Sequence, residues 1–210
     1  MPAKNTTSTN KKLETERTFL TLLTEEDLPA MMDMAREPDT FKYLKKLRVM
    51  TEQEYTLFLQ DKLRQIRDHK GFHWAVWLKD KPGPHGVDSA TGQSTAGSKT
   101  GQTAAAGQSG GRISGQPPVF IGAVNLNPVA GTSMMQIGCQ LKRDYWRQGF
   151  AYELTNRILD FGINEAGLAT VYGLFEKENQ ASRRLLEKLG FVWQETRDAQ
   201  GIEIHKYPGY

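Results

Sequence analysis

Asp144-Tyr-Trp-Arg-Gln-Gly-Phe-Ala-Tyr-Glu153 is the stretch on which the fold of this chain depends. It follows an apolar run, Met134 to Leu141, that is typical of a β-strand, and it opens a helix-patterned run that continues to about Ala166. A strand that continues through a glycine-containing turn into a helix leaves several backbone N–H groups unpaired at the positive end of the helix dipole. The stretch therefore favours a phosphate site, in which Gly149 and Ala151 leave room for a diphosphate to approach the backbone.

A second motif lies nearer the C-terminus, where Asn179-Gln-Ala-Ser-Arg-Arg-Leu-Leu-Glu-Lys-Leu-Gly-Phe191 follows a β-rich run, Thr170 to Phe175. The two motifs together resemble the GCN5-related N-acetyltransferases (GNAT family), which bind acetyl-CoA through the pattern Q/R-x-x-G-x-G/A, here Trp146-Arg-Gln-Gly-Phe-Ala151. The match is strongest for the branch that includes the ribosomal-protein alanine N-acetyltransferases. It extends from about Glu16 to the C-terminus apart from an insert, and it departs from the branch at Arg147, where the family usually has glycine.

The composition of the 210-residue chain suits one domain with a hydrophobic core. The lone Cys139 cannot form an intramolecular disulfide and suits a reducing compartment. The first twelve residues are polar, unlike a signal peptide, and no run is long enough to cross a bilayer, so we expect a cytoplasmic protein with no membrane partner. A formal net charge of +3 suits a polyanionic cofactor, although it is also typical of a solvated surface.

Two segments are predicted to lack regular structure. Residues 1–12 are rich in Ser, Thr, Asn and Lys and are expected to form a disordered tail. Residues 81–118 are dominated by Gly, Ser, Thr, Ala, Gln and Pro, and they cannot bury enough apolar surface to offset their ordering entropy. Because β-patterned runs flank this insert, we expect it to extend a hairpin loop within a single domain, residues 13–210.

The remaining pattern alternates between strands and helices and ends in a hairpin, which predicts an α/β fold with a mixed sheet. Thr24-Glu-Glu-Asp27 and Thr51-Glu-Gln-Glu54 are capping boxes that should open two helices. The resemblance implies the GNAT fold, a mixed central β-sheet flanked by helices, with the strands at 134–141 and 170–175 splayed apart.

The resemblance also implies acetyl-CoA as the co-substrate, with its pantetheine arm in the gap between the splayed strands. A backbone N–H at Cys139 or Gln140 would then stabilise the tetrahedral oxyanion. Trp146 and Phe150 either pack on the cofactor or anchor the turn, and one arginine of Arg183-Arg184 either meets a CoA phosphate or is solvated. The expected cofactor-binding residues are Cys139, Leu141, Trp146, Arg147, Gln148, Gly149, Phe150, Ala151 and Asn179.

The reaction implied by the resemblance is direct attack of a neutral amine on the acetyl thioester. Two substitutions depart from the relatives: Gln136 replaces a frequent glutamate, and an amide cannot act as a general base, while Leu186 replaces a common tyrosine acid. The resemblance implies that Ser182 is the catalytic proton donor, and the equal alternative is a hydroxyl bonded to the helix backbone. Three carboxylates are either exposed or act through water: Glu153, Glu176 and Glu178.

A site without its usual carboxylate favours a weakly basic acceptor. An α-amino group with a pKa near 8 costs about 1.4 kcal/mol to neutralise at pH 7, whereas a lysine side chain costs roughly 4.6 kcal/mol. We therefore expect a primary amine acceptor, either a protein N-terminus or a small-molecule amine. Phe41, Tyr43 and the Lys45-Lys46 pair either line the acceptor site or pack and carry surface charge.

Two other classes of function compete with this interpretation. A catalytically silent GNAT-fold module that binds acyl-CoA or a partner protein is kept open by Gln136, Leu186 and Arg147. A nucleic-acid binder is disfavoured, because no basic stripe with interleaved aromatic residues occurs. We expect no metal, since the four histidines lack metal-ligand spacing, and His73 is expected on a strand surface. The sequence does not determine the oligomeric state, and a homodimer is allowed.

Overall fold

The computed structural model describes residues 12–44, 47, 50–79, 118–197, 199 and 201–209. Apart from its last residue, Lys12, the predicted tail lies outside the described residues. The predicted insert at 81–118 lies outside them as well, apart from Pro118, and so does the Lys45-Lys46 pair.

The described residues form one eight-stranded mixed sheet with the strand order β1-β2-β3-β4-β5-β6-β8-β7. All neighbouring strands are antiparallel except β5 and β6, which are parallel because a helix connects them. This arrangement confirms the predicted α/β class and mixed sheet. The strands are β1 (Leu13–Glu14), β2 (Thr18–Leu22), β3 (Phe72–Leu78), β4 (Val119–Pro128), β5 (Met135–Leu141), β6 (Val171–Glu176), β7 (Val192–Arg197) and β8 (Ile202–Tyr207).

Both predicted capping boxes are present. The side chain of Asp27 accepts a hydrogen bond from the Thr24 backbone N–H at 2.7 Å, and Glu54 accepts from that of Thr51 at 2.8 Å. The first box opens a 3₁₀ turn that leads into the first helix. The helices are α1 (Leu28–Ala35), α2 (Glu52–Arg67), α3 (Phe150–Asp160), which continues into a π-helical turn (Phe161–Glu165), and α4 (Gln180–Lys188).

Helices cover both faces of the sheet. Side chains alternate along a strand, so Trp74 and Ala75 of β3 point to opposite faces. Trp74 packs in an apolar cluster with side chains of α3 and α4, such as Leu154, whereas Ala75 packs in a second cluster with side chains of α1 and α2, such as Leu59. The predicted GNAT arrangement, a sheet between two helical layers, is therefore observed.

His73 is buried, and the prediction that it lies on a strand surface was wrong. Helix α2 covers this position of β3, and His73 Nε2 lies 3.1 Å from Oε1 of Gln65. Burial, together with the nearby charge of Lys62, lowers the pKa of His73 to about 3. The imidazole is therefore neutral in the folded protein at pH values where it would be protonated in the unfolded chain.

This burial predicts a loss of stability in mild acid. A histidine whose pKa is lowered by folding contributes stability that is fully present above its unfolded pKa, near 6.5, and is lost as the pH falls below it. When the pH falls from 7.5 to 5, we expect His73 to lower the unfolding free energy by about 2 kcal/mol. In urea titrations at these two pH values, the His73→Gln variant should therefore lose about 2 kcal/mol less than wild type does. An equal loss in wild type and variant would contradict the assignment, since the other histidines are common to both.

Candidate active site

Strands β5 and β6 separate after a short contact. Their parallel pairing is limited to Gln136 with Tyr172 and Ile137 with Gly173. Beyond these two pairs, β5 continues to Leu141 along β4, and β6 continues to Glu176 along β8. The splayed strands implied by the resemblance are thus present, and a gap opens within the sheet.

The register of β5 determines which main-chain groups face this gap. The N–H of Lys142 donates to the carbonyl oxygen of Ile121 at 2.9 Å, and this continues the antiparallel pairing of β5 with β4. Because the bonding direction alternates along such a pair, the main-chain groups of Gln140 face β4, whereas those of Cys139 and Leu141 face the gap. Of the two expected oxyanion donors, the backbone N–H of Cys139 therefore points into the gap and that of Gln140 does not.

The turn after β5 presents a set of backbone donors. Gly149 adopts the left-handed conformation, with φ of 85°, and is the N-cap of α3. Among the described residues, none accepts a hydrogen bond from the backbone N–H of Phe150, Ala151 or Tyr152, whereas the N–H of Glu153 donates to the Gly149 carbonyl at 3.1 Å. Three donors at the positive end of a helix form a site that suits an anion.

Side chains of the turn hold it against the end of β5. The Trp146 indole N–H donates to the carbonyl oxygen of Leu141 at 2.7 Å, and the Gln148 amide donates to the carbonyl oxygen of Asp144. The Phe150 ring is buried against Tyr145, with ring centroids 5.8 Å apart. Of the two roles left open for Trp146 and Phe150, the contacts correspond to anchoring the turn.

The remaining turn residue, Arg147, has φ of 57°, the left-handed conformation in which the family's usual glycine costs nothing. A residue with a side chain is strained in this backbone conformation. Arg147 therefore stands where glycine, the family's usual residue, would fit without strain.

Helix α4 brings Ser182 and Asn179 to the end of β6. The Asn179 side chain caps the helix, accepting from the backbone N–H of Ser182 at 3.1 Å. The Ser182 side chain is half-buried, and its hydroxyl makes no hydrogen bond to another described residue. A hydrogen bond from this hydroxyl to the helix backbone, the alternative role for Ser182, is therefore not observed.

Leu186 packs directly on Gly173 of β6, at a distance that leaves no room for a Cβ on that glycine.

A family model, described as the acetyltransferase (GNAT) domain, matches residues 17–192. The chain belongs to the GNAT family. Among curated relatives, the uncharacterized N-acetyltransferase YoaA of Bacillus subtilis (strain 168) is 20% identical over 180 residues, which cover 85% of this chain and 81% of that protein. The protein is accordingly a GNAT N-acetyltransferase.

Solved structures show the same fold. RimL, a ribosomal L7/L12 alpha-N-protein acetyltransferase in complex with coenzyme A, matches with a TM-score of 0.67 at 11% identity, covering 95% of this chain and 98% of that chain. Spermidine N-acetyltransferase from Vibrio cholerae, in complex with CoA and spermine, matches with a TM-score of 0.60 at 16% identity, covering 90% of this chain and 92% of that chain. Both of these similar proteins were solved in complex with CoA.

Arg17 contacts the turn of this GNAT enzyme, and sequence reasoning missed it. Its Nε donates to Glu153 Oε2 at 2.7 Å, its backbone N–H to Glu153 Oε1 at 2.9 Å, and its Nη1 to the carbonyl oxygen of Gln148 at 2.9 Å. Burial raises the pKa of the Glu153 carboxyl, but hydrogen bonds from Thr15 and Arg17 outweigh this effect and lower the pKa overall. Glu153 is therefore an ionised, paired carboxylate, which makes it a poor general base.

Arg183 and Glu176 also differ from expectation. Arg183 forms an ion pair with Glu203, a buried carboxylate of β8, and its side chain is 33% exposed. Glu203 Oε2 lies 3.3 Å from Nε2 of the buried His205, so one carboxylate joins α4 to β8. Glu176 is buried rather than exposed, whereas Glu178 is exposed as expected.

The segment before α2 packs beside the end of β5. Glu37 accepts a hydrogen bond from the Arg143 backbone N–H at 3.1 Å, and Asp39 forms an ion pair with the Arg143 guanidinium. Phe41 is buried in the cluster of α1 and α2, so packing accounts for it. Tyr43 is half-buried, and its expected role in lining the acceptor site stays a prediction.

The Cys139 thiol does not suit covalent catalysis. Burial raises its pKa to about 12, which outweighs the opposing effect of the Thr155 hydroxyl. A thiol that stays protonated is a weak nucleophile, and this agrees with acetyl transfer by direct attack. Among the described residues, no group of three His, Cys, Asp or Glu side chains is arranged to hold a metal ion, and no helix has the length and apolar character needed to span a membrane.

Proposed function

We propose that the enzyme transfers the acetyl group of acetyl-CoA to a primary amine by direct attack within a ternary complex. The observation that carries this proposal is the placement of two sets of main-chain donors at the same end of β5. The N–H groups of Cys139 and Leu141 face the gap, and those of Phe150, Ala151 and Tyr152 open α3 directly after it. A carrier with an amide-bearing arm followed by a diphosphate matches that order.

Each group has a role that follows from its chemistry. The N–H groups at the start of α3 bind the diphosphate, and Gly149 keeps the approach open. The Cys139 N–H donates to the oxygen on which negative charge develops during attack. The hydroxyl of Ser182 donates a proton to the departing thiolate, and water passes the proton that the attacking amine loses back to Ser182.

The acceptor is proposed to be an α-amine, such as a protein N-terminus. Gln136 cannot act as a general base, and Glu153 is a poor one because it is paired with Arg17. The amine must therefore lose its proton without assistance from either residue. An α-amine reaches it about 3 kcal/mol more easily than a lysine side chain. The named activities of the neighbours, on a protein N-terminus for RimL and on spermidine for the Vibrio enzyme, support amine acceptors in general.

Calorimetry with acetyl-CoA, followed by a thiol-release assay, tests this proposal. Peptides with a free α-amine should be acetylated, and the same peptides with a blocked N-terminus and a free lysine should react at least tenfold more slowly. Absence of acetyl-CoA binding would refute the proposal. Binding without turnover on any amine would instead support a silent acyl-CoA-binding module, which the replacement of the frequent glutamate by Gln136 favours.

Ser182→Ala is expected to lower kcat by 10- to 100-fold, because loss of a positioned proton donor typically costs at least this much. The KM for acetyl-CoA should stay within twofold, since the hydroxyl acts only as the thiolate leaves. Ser133→Ala, at an exposed position before β5, is the matched control and should leave both constants unchanged. A Ser182→Ala enzyme with full kcat would remove Ser182 from the mechanism.

A further inference from the structure

We propose that Arg17 is a positioning residue for the diphosphate, which holds the turn after β5 in its binding shape and cancels the charge of Glu153. This inference rests on the proposed function and adds a group from a distant part of the chain. Arg17 lies between β1 and β2, and Glu153 lies 136 residues further along the chain.

The contacts of Arg17 fix the turn on two sides. One guanidinium nitrogen holds the Gln148 carbonyl, directly before Gly149, and another holds the Glu153 carboxylate, within the first turn of α3. The guanidinium carbon lies 3.9 Å above the centre of the Phe150 ring. These three contacts bracket the backbone N–H groups to which we assign the diphosphate, so their directions depend on Arg17.

Arg17 is itself held in place by the sheet. Its carbonyl oxygen accepts from the Lys79 backbone N–H at 2.9 Å, at the end of β3. Its backbone N–H is bonded to Glu153, so both its main chain and its side chain join the sheet edge to α3. Removal of the Arg17 side chain would therefore free the turn after β5, while all hydrogen bonds between the strands would remain.

The second contribution of Arg17 is electrostatic. Glu153 is ionised and lies in the first turn of α3, where an unpaired carboxylate would repel a diphosphate. Pairing with Arg17 removes this repulsion. The remaining guanidinium nitrogen, Nη2, lies 3.4 Å from the place where a Cβ of Gly149 would be, so the positive charge faces the open side of the turn. Arg17 and Gly149 line the same cavity, with a volume of about 650 Å³.

Arg17→Met tests the proposal in the full-length enzyme. We expect the calorimetric Kd for acetyl-CoA to rise at least tenfold, whereas kcat at saturating acetyl-CoA should stay within twofold, because the reacting atoms are not touched. Arg197→Met is the matched control: the Arg197 side chain is 40% exposed compared with 39% for Arg17, and it is paired with Glu195 at 3.0 Å on β7, outside the cavity. Its Kd should stay within twofold of wild type.

The double variant Arg17→Met/Glu153→Gln separates the two contributions. If charge cancellation matters, removal of the carboxylate should restore at least threefold of the lost affinity. Absence of recovery would overturn the electrostatic part of the proposal.

The inference as a whole would be overturned by a Kd for Arg17→Met within twofold of wild type, or by kcat falling as far as Kd rises. If Arg17→Met does not fold, as judged by circular dichroism, Arg17→Lys keeps the charge and should still raise Kd at least threefold. A Kd for Arg17→Lys within twofold of wild type would equally overturn the inference. Wild-type enzyme that binds acetyl-CoA and acetylates an α-amine sustains the proposed function whichever way these variants behave.

Discussion

Gly149→Leu is expected to weaken acetyl-CoA binding by at least 100-fold, equivalent to about 2.8 kcal/mol. Among the described atoms, a Cβ at this position would meet only Nη2 of Arg17, at 3.4 Å, so the side chain has space. That space is the approach to the backbone N–H groups of the first turn of α3. A leucine side chain would therefore displace the diphosphate rather than clash with the fold.

Gly131→Leu is the matched control for this variant. Gly131 also has a left-handed backbone, with φ of 74° compared with 85° at Gly149, and no described atom lies within 4 Å of the place that its Cβ would take. Both substitutions should cost about 1–2 kcal/mol of folding free energy through backbone strain. Only Gly149→Leu should lose affinity in calorimetry. A folded Gly149→Leu protein that binds acetyl-CoA within threefold of wild type would refute the site.

Glu203→Gln is expected to lower the unfolding free energy by about 3 kcal/mol. Removal of one partner from a buried ion pair typically costs about 3–5 kcal/mol, because the other charge is left without compensation. Here the Arg183 side chain is 33% exposed, so water partly compensates it, and the lower end of the range applies. The buried His205 loses a carboxylate neighbour at the same time, and among the described residues its Nδ1 has no hydrogen-bond partner to begin with.

Urea unfolding compares this variant with Glu195→Gln. Glu195 forms an exposed ion pair with Arg197 at 3.0 Å on β7, and its loss should cost less than about 1 kcal/mol. Because Arg183 follows Ser182 on α4, we also expect kcat of Glu203→Gln to fall. Similar losses of stability in both variants would show that the pair between α4 and β8 does not hold the helix.

Local chemistry explains what could be predicted from the sequence. The capping boxes at Thr24 and Thr51 depend on residues within one helical turn, and both are present. The alternation of strands and helices followed from the hydrophobic pattern, and the run predicted as a strand from Met134 to Leu141 differs from β5 by one residue. The two-residue strand β1 was missed, because so short a strand has no pattern of its own.

The errors concern side chains that meet across the fold. The ion pairs of Arg17 with Glu153 and of Arg183 with Glu203 join residues on different elements, 136 and 20 positions apart. Nothing local in the sequence distinguishes these residues from solvated charges. His73 was assigned to the surface for the same reason, since its burial depends on the position of α2 above β3. The orientation of the Cys139 N–H required the register of β5 with β4, which the sequence pattern does not specify.

The brief contact between β5 and β6 has a mechanical consequence. Strands β1 to β5 form one part of the sheet and β6 to β8 form the other, and within the described part of the chain the strand pairing between them is limited to two residue pairs. An extended pantetheine arm that lies between the two parts would act as an added strand and form hydrogen bonds with the open edge of β5. The thermal midpoint should therefore rise with carrier concentration, because the bound molecule would complete a sheet that the chain leaves unfinished.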